Sequence, residues 1–386
     1  MSWRLTLRLA LGMAVMASVS GCVAILVHAG KSAYKALSSP TTVIAGPLPV
    51  PDEARKELEE ALKHGASGLT AIVMRYGHLV FRLDLGKIAP DEQLPVASAS
   101  KWMTAALVMS VVDEGKLSLD APVSRYLPDF AGQAGQVTLR ELLAQTSGEG
   151  DLRQAVDIRQ DPRITLAASA AQIARRPLQD KPGTTFRYGG PGFQVAGAAV
   201  EAVTGQRWAA LFDERIARPL GMRHTHWEHL PSRGVTPAGT LNPLLQGGVV
   251  TTAADYMHFL TMLAQHGRFD GHRILSAQAV DTMETVQTLG RPMAYLPPGM
   301  QGHDRGQVQY ALGNWCETWS DDRCLLVSSP GATGTFPWID RRSGLYGIFF
   351  VRGRLPRVIN YFTSARAVII QAYGQQARQP APPATH

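Results

Sequence analysis

A serine stands three residues ahead of a lysine in Ser98-Ala-Ser-Lys101, at the head of an apolar stretch that reaches Val112. Burial disfavours the ammonium form of a lysine, and a lysine so depressed can take a proton from a neighbouring serine hydroxyl. If the pair opens a helix, backbone N–H groups and the positive end of the helix dipole stand where an oxyanion would develop. A plainer reading makes Ser98 a helix cap and lets Lys101 reach solvent. Ser-x-x-Lys alone does not decide between them.

The element that must position this pair is legible. Trp102, Met103, Ala106, Leu107 and Val111 recur at helical spacing, and Gly115 supplies a stop. Ala105, Val108, Met109 and Val112 make the remaining faces apolar, so the helix is expected to be buried on most sides. Ser98 and Lys101, at i and i+3, then share a face, whereas Ser100 points elsewhere. Around this helix, residues 52–64 and 193–203 carry helical spacing, as do 164–176. Leu69–Met74 and His78–Asp84 read as a hairpin about Arg75-Tyr-Gly77. Phe336–Ile339 and Leu345–Val351 read as a second hairpin about Asp340-Arg-Arg-Ser-Gly344. Tyr188 falls between Pro182-Gly183 and Gly189-Gly190-Pro191, on a loop, where a phenol acidified by a nearby ammonium can act as a base or pass a proton. An ordinary half-buried tyrosine fits the same pattern.

These pieces together resemble the serine β-lactamase-related hydrolases, a family that includes class C β-lactamases, DD-peptidases and related esterases. The resemblance is carried by Val96–Lys101, Glu114–Pro128, Val137–Gly148, Phe186–Gly190, Arg218–Met222, Gly247–Asp255 and Pro330–Gly334, in order between about Leu69 and Val351. It implies an α/β fold: an antiparallel sheet of the N-terminal hairpin and the C-terminal strands, flanked by helices, with a mostly helical region inserted. It implies a cleft with Ser98 as nucleophile, Lys101 and Tyr188 managing its proton, and the N–H groups of Ser98 and Ala332 holding an oxyanion. Two departures stand out. The family's Tyr-x-Asn ends here in Gly190, and its Lys-Thr-Gly or His-x-Gly is Ser329-Pro330-Gly331. Gly331 keeps the close backbone approach a glycine permits, the cation that would hold a substrate carboxylate is replaced by Ser329, and Pro330 suits an edge strand.

Composition sets the frame. The chain has 386 residues, 45% hydrophobic and 18% charged, enough for a large folded core. Its net charge of +7 falls to +5 without Arg4 and Arg8, and no basic run interleaved with aromatics points to nucleic acid. Arg4, Arg8, an apolar stretch and Val19-Ser-Gly-Cys22 read as a lipoprotein-type signal over 1–22, with Cys22 lipidated; an uncleaved anchor over Leu9–Val27 is the alternative. Either tethers the bulk of the protein to a membrane, outside the cytoplasm. A Pro-rich linker over 23–51, a catalytic domain over 52–373 and a disordered tail over 374–386 complete the expected organisation. Cys316 and Cys324, eight positions apart across a Trp- and Asp-containing loop, form a disulfide in an exported chain or remain two free thiols.

His224-Thr-His226-Trp-Glu-His229 imitates a metallo-hydrolase signature, but it follows a helix end and turn, and the expectation is adventitious surface histidines without a metal or other cofactor. The reading that results is a serine hydrolase acting through an acyl-enzyme on a small ester. A cell-wall carboxypeptidase or weak β-lactamase, drawing its anchor from Arg187 or another loop, is one alternative. A catalytically silent envelope protein that only binds is another.

Overall fold

Alternation along Leu345–Arg352 shows where the centre of the molecule lies. Leu345, Phe349 and Val351 enter one apolar cluster, while Tyr346, Ile348 and Phe350 enter the other. A strand buried on both faces must be covered on both. The computed structural model describes residues 43–150, 161–229, 239–300 and 308–374. Eight of its strands form the antiparallel sheet: β1 (Val43–Ala45), β2 (Gly68–Arg75), β3 (His78–Gly86), β4 (Gln309–Tyr310), β5 (Trp315–Ser320), β6 (Arg323–Ser328), β7 (Phe336–Asp340) and β8 (Leu345–Arg352). Their spatial order is β1-β3-β2-β8-β7-β6-β5-β4, so the N-terminal hairpin pairs directly with the last strand.

Helices α1 (Asp52–His64) and α5 (Leu355–Gly374) cover one face, with Leu58, Val358, Phe362 and Ile369 packed among Leu69, Val73 and Phe349. The other face meets α4 (Ala253–Ala264), whose Phe259 and Leu260 share a cluster with Ile72, Ile348 and Phe350. Between β3 and β4 the chain is mostly helical. It contains α2 (Ser100–Asp113), α3 (Pro191–Thr204) and several shorter helices. Residues Lys101 to Met109 of α2 are all buried, as an apolar composition on every face requires. Gly115, at φ 71°, ends it, and Gly205, at φ 67°, closes α3 with its N–H on the Glu201 carbonyl. The short helix Leu139–Leu143 starts from a capping box between Thr138 and Glu141.

Three expectations need correction. Val43–Ala45 lies within the stretch read as a linker, yet it pairs with β3 as an edge strand. Pro330 does not occupy an edge strand. It follows the end of β6, an interior strand between β5 and β7; the Ser329 and Gly331 N–H groups on either side of it donate to the Pro337 and Thr335 carbonyls, so the position between them can lack a donor. Cys316 and Cys324 do not flank a loop; they sit on β5 and β6, the two strands of a hairpin, and are joined by a disulfide with Cα atoms 5.4 Å apart. The readings for Cys22, the leader and the C-terminal tail fall outside the described residues.

Closing this short loop restricts the unfolded chain. Replacing both cysteines by serine is expected to lower unfolding free energy by about 2–3 kcal/mol in a denaturant titration. An unchanged transition midpoint would show that the bridge contributes nothing.

Candidate active site

Ser98 lies in a tight 3-10 turn (Ala97–Ala99) that runs straight into α2. The preceding Ala97 has φ 46°, a left-handed conformation that a residue with a Cβ adopts only under constraint. The constraint is visible. The Val96 N–H donates to the Val249 carbonyl at 3.0 Å, the Tyr256 hydroxyl donates to the Ala99 carbonyl at 2.8 Å, and the Thr333 hydroxyl donates to the Pro95 carbonyl at 2.8 Å. Ser100, as expected, faces away; its Oγ accepts from the Val249 N–H at 3.0 Å.

Lys101 is 1% exposed. Its Nζ donates to Ser98 Oγ at 3.2 Å and to the Gln246 carbonyl at 3.0 Å, and it stands 4.6 Å from the ring centroid of Tyr188 and 5.5 Å from that of Phe193. The snorkelling alternative is thereby excluded. The head group is held inside, against the serine.

Tyr188 follows the short strand Phe186–Arg187 and precedes the Gly190 cap of α3. Its hydroxyl lies beside the Ser98 side chain. Its ring stacks on Trp315 at 5.3 Å and meets Tyr310 edge-on at 6.0 Å. The acidified phenol expected from the sequence is not what this packing produces. Burial pushes the Tyr188 hydroxyl above its ordinary range, and the neighbouring Ser98 side chain only partly offsets that. The amine lies over the ring face rather than forming the dominant influence on the hydroxyl, so Tyr188 rests as a neutral phenol.

The loop after β6 completes the cluster. A Cβ on Gly331 would lie 2.0 Å from the Val96 carbonyl oxygen and 3.4 Å from the Ala99 nitrogen, so only glycine lets this loop lie against the Ser98 turn. Ala332 follows, exposed. Among the described residues nothing accepts a hydrogen bond from its N–H, while its carbonyl is held by the Leu355 N–H at 3.1 Å. Ser329 is buried, with Oγ 3.4 Å from the Gly313 carbonyl. Ser98, Lys101, Tyr188, Gly190, Ser329, Gly331 and Ala332 thus belong to one region. Arg187, the alternative anchor, is ion-paired with Asp180.

The histidine run separates. His224 and His226 are exposed, but His229 is fully buried with Nδ1 2.5 Å from the Asn242 carbonyl, which corrects its reading as a surface residue. Among the described residues no three His, Cys, Asp or Glu side chains are grouped to hold a metal. Sequence reasoning passed over Gln145, Gln246 and Glu149. Gln246 contributes a main-chain carbonyl, which no side-chain pattern signals. Glu149 is part-exposed as a residue, yet its Oε2 is buried without a partner and burial pushes its carboxyl up to about 8.

With this geometry in view, similarity to known proteins is informative. Residues 54–362 match the Beta-lactamase family, and the chain belongs to it. It is a hydrolase of the serine β-lactamase type. The chain is 33% identical over 183 residues to Esterase EstB of Burkholderia gladioli, covering 40% of this chain and 46% of the esterase, so less than half of that relative is matched. It is 27% identical over 259 residues to the D-alanyl-D-alanine-carboxypeptidase/endopeptidase AmpH of Escherichia coli K12, covering 59% of this chain and 67% of AmpH. Among solved structures, a putative beta-lactamase from Bacteroides dorei superposes with a TM-score of 0.69 at 32% identity, over 80% of this chain and 97% of that one.

Glu149 makes a pH prediction. Its folded-state pKa lies above the ordinary carboxyl value of 4.5, so the folded protein holds this proton where the unfolded chain has lost it. The stabilising contribution is fully present below 4.5 and declines as pH rises towards about 8. Glu149→Gln is expected to become progressively more stable than the wild type across that window in thermal melts. A constant difference at every pH would contradict the assignment.

Proposed function

We propose that the chain is a serine esterase acting on small carboxylic esters through an acyl-enzyme. The observation that carries this reading is the Ser98–Lys101 contact of 3.2 Å, beside a loop after β6 that opens with Ser329 rather than a cation. In its neutral form Lys101 takes the Ser98 proton as Oγ attacks the ester carbonyl. The Ser98 and Ala332 N–H groups receive the oxyanion. When the tetrahedral intermediate collapses, Tyr188, kept protonated by its burial, gives its proton to the leaving alkoxide and regains one from Lys101. Water then enters, and the same groups release the acid.

The substrate half of the proposal rests on two side chains. Gly190 offers no carboxamide, and Ser329 offers no charge for a carboxylate. Esters need neither, and the name of the Burkholderia relative agrees with that preference. A carboxypeptidase reading has one observation in its favour: exposed Arg354 directly precedes Leu355, whose N–H holds the Ala332 carbonyl, so an arginine adjoins the same loop in the chain.

Residues acting as one unit lose function non-additively. Ser98→Ala is expected to lower turnover of a short-chain nitrophenyl ester by roughly 10³-fold or more, and Lys101→Ala nearly as far. Removing Ser98, Lys101 and Tyr188 together should cost little beyond Ser98→Ala. Penicillin turnover should be slower than ester turnover. Wild-type esterase activity in purified Ser98→Ala would end the proposal. Penicillins hydrolysed faster than short-chain esters, or release of D-alanine from a peptide ending in D-alanyl-D-alanine at a higher kcat/KM, would end its substrate half.

We also propose that Cys22 carries a lipid that holds the protein in the cell envelope, facing the periplasm or exterior. Two or more acyl chains are needed for a firm anchor. Cys22→Ser should abolish incorporation of labelled fatty acid; undiminished labelling would favour the uncleaved anchor.

A further inference from the structure

We infer that Gln145 is a positioning residue that holds the Tyr188 hydroxyl beside Ser98. Two contacts converge on it. Its main-chain carbonyl accepts from the Arg187 N–H at 3.0 Å, and its side-chain Oε1 accepts from the Gly189 N–H. One residue therefore grips the N–H groups of both chain neighbours of Tyr188. Its Nε2 is buried with no hydrogen-bond partner among the described residues, so the carboxamide is held by its acceptor end, beside the Tyr188 loop.

The backbone of Gln145 carries a further sign of constraint. At φ 59° it is left-handed, a region that glycine or asparagine enters far more readily than glutamine. A glycine would remove the strain but also the Oε1 acceptor. The residue is 6% exposed, so its carboxamide works inside the protein and not at the surface. The Tyr188 N–H donates to the Tyr295 carbonyl at 3.1 Å, which fixes the strand but leaves the peptide beyond it dependent on Gln145. That peptide matters because Gly189 and Gly190 follow, two residues that provide little conformational restraint of their own.

The inference rests on Tyr188 serving the reaction proposed above, and the experiment separates the two. Gln145→Gly adopts the left-handed backbone without strain and keeps the main-chain carbonyl, losing only the side-chain hold. Its melting temperature should stay near that of the wild type. Its kcat for a short-chain nitrophenyl ester should fall ten- to a hundredfold, with KM changed less than threefold, because substrate contacts are untouched. Gln145→Asn, which also tolerates this backbone, keeps a shorter carboxamide and should lie between the two; it serves as the folded comparison if the glycine variant is unstable. The decisive measurement is the double variant Gln145→Gly/Tyr188→Phe. It should be no slower than Tyr188→Phe alone, since Gln145 acts through that hydroxyl. A purely structural role would instead lower both activities by the same factor. Multiplicative losses, or wild-type kcat in Gln145→Gly and Gln145→Asn, would overturn the inference while leaving the role of Tyr188 intact. Wild-type kcat in Tyr188→Phe would overturn the role of Tyr188, and this inference with it.

Discussion

A lysine head group taken out of water needs partners for its N–H donors, and most of the site follows from meeting that demand at Lys101. Nζ is surrounded by the Ser98 hydroxyl, the Gln246 carbonyl and the faces of two aromatic rings. Each partner comes from a different part of the chain. The serine comes from the turn before α2, the carbonyl from the segment before the strand Val249–Thr251, and the rings from the loop into α3 and from α3 itself. A lysine at the surface would impose none of this. Here the apolar character of α2 on all faces commits the chain to assembling a polar cage around one amine.

The cage works only if its walls cannot relax. Ala97 and Gln145 both stand in left-handed backbone conformations without being glycine, and both adjoin the groups that touch Ser98. Such residues persist because their surroundings hold them there. At Ala97 the hold is a set of hydrogen bonds to neighbouring carbonyls and the close approach of Gly331 to Val96. Function and stability pull in opposite directions at these two positions, as expected where a reactive side chain must be presented rather than packed away.

How much of this could be read from the residues alone divides along a physical line. Local periodicity is written in consecutive side chains, so α1, α2, both sheet hairpins and the pairing of Ser98 with Lys101 were legible. Effects that arise from distant burial were not. The sequence suggests an acidified Tyr188 because it shows a lysine and a tyrosine; it does not show that Trp315 and Tyr310 exclude water from the phenol. Pro330 looks like an edge residue until the strand is seen to end two positions earlier, at Ser328. His229 looks exposed in a run of polar residues, yet tertiary packing encloses it. Gln145 lies in one of the stretches that carry the resemblance, but nothing in that stretch shows which two N–H groups it faces.

The hydrogen bond from Thr333 to the Pro95 carbonyl joins residues separated by 238 positions, and β2 pairs along its whole length with β8. Both contacts close very long loops, which makes this a topology of high contact order and slow assembly. A chain still emerging from the ribosome therefore carries Ser98 early and the Gly331-Ala332 loop late. Until β8 arrives between β2 and β7, the two halves of the eight-stranded sheet are not joined. Assembly thus has an order written into the topology: the strand made last is the one that ties the N-terminal hairpin to the rest of the sheet.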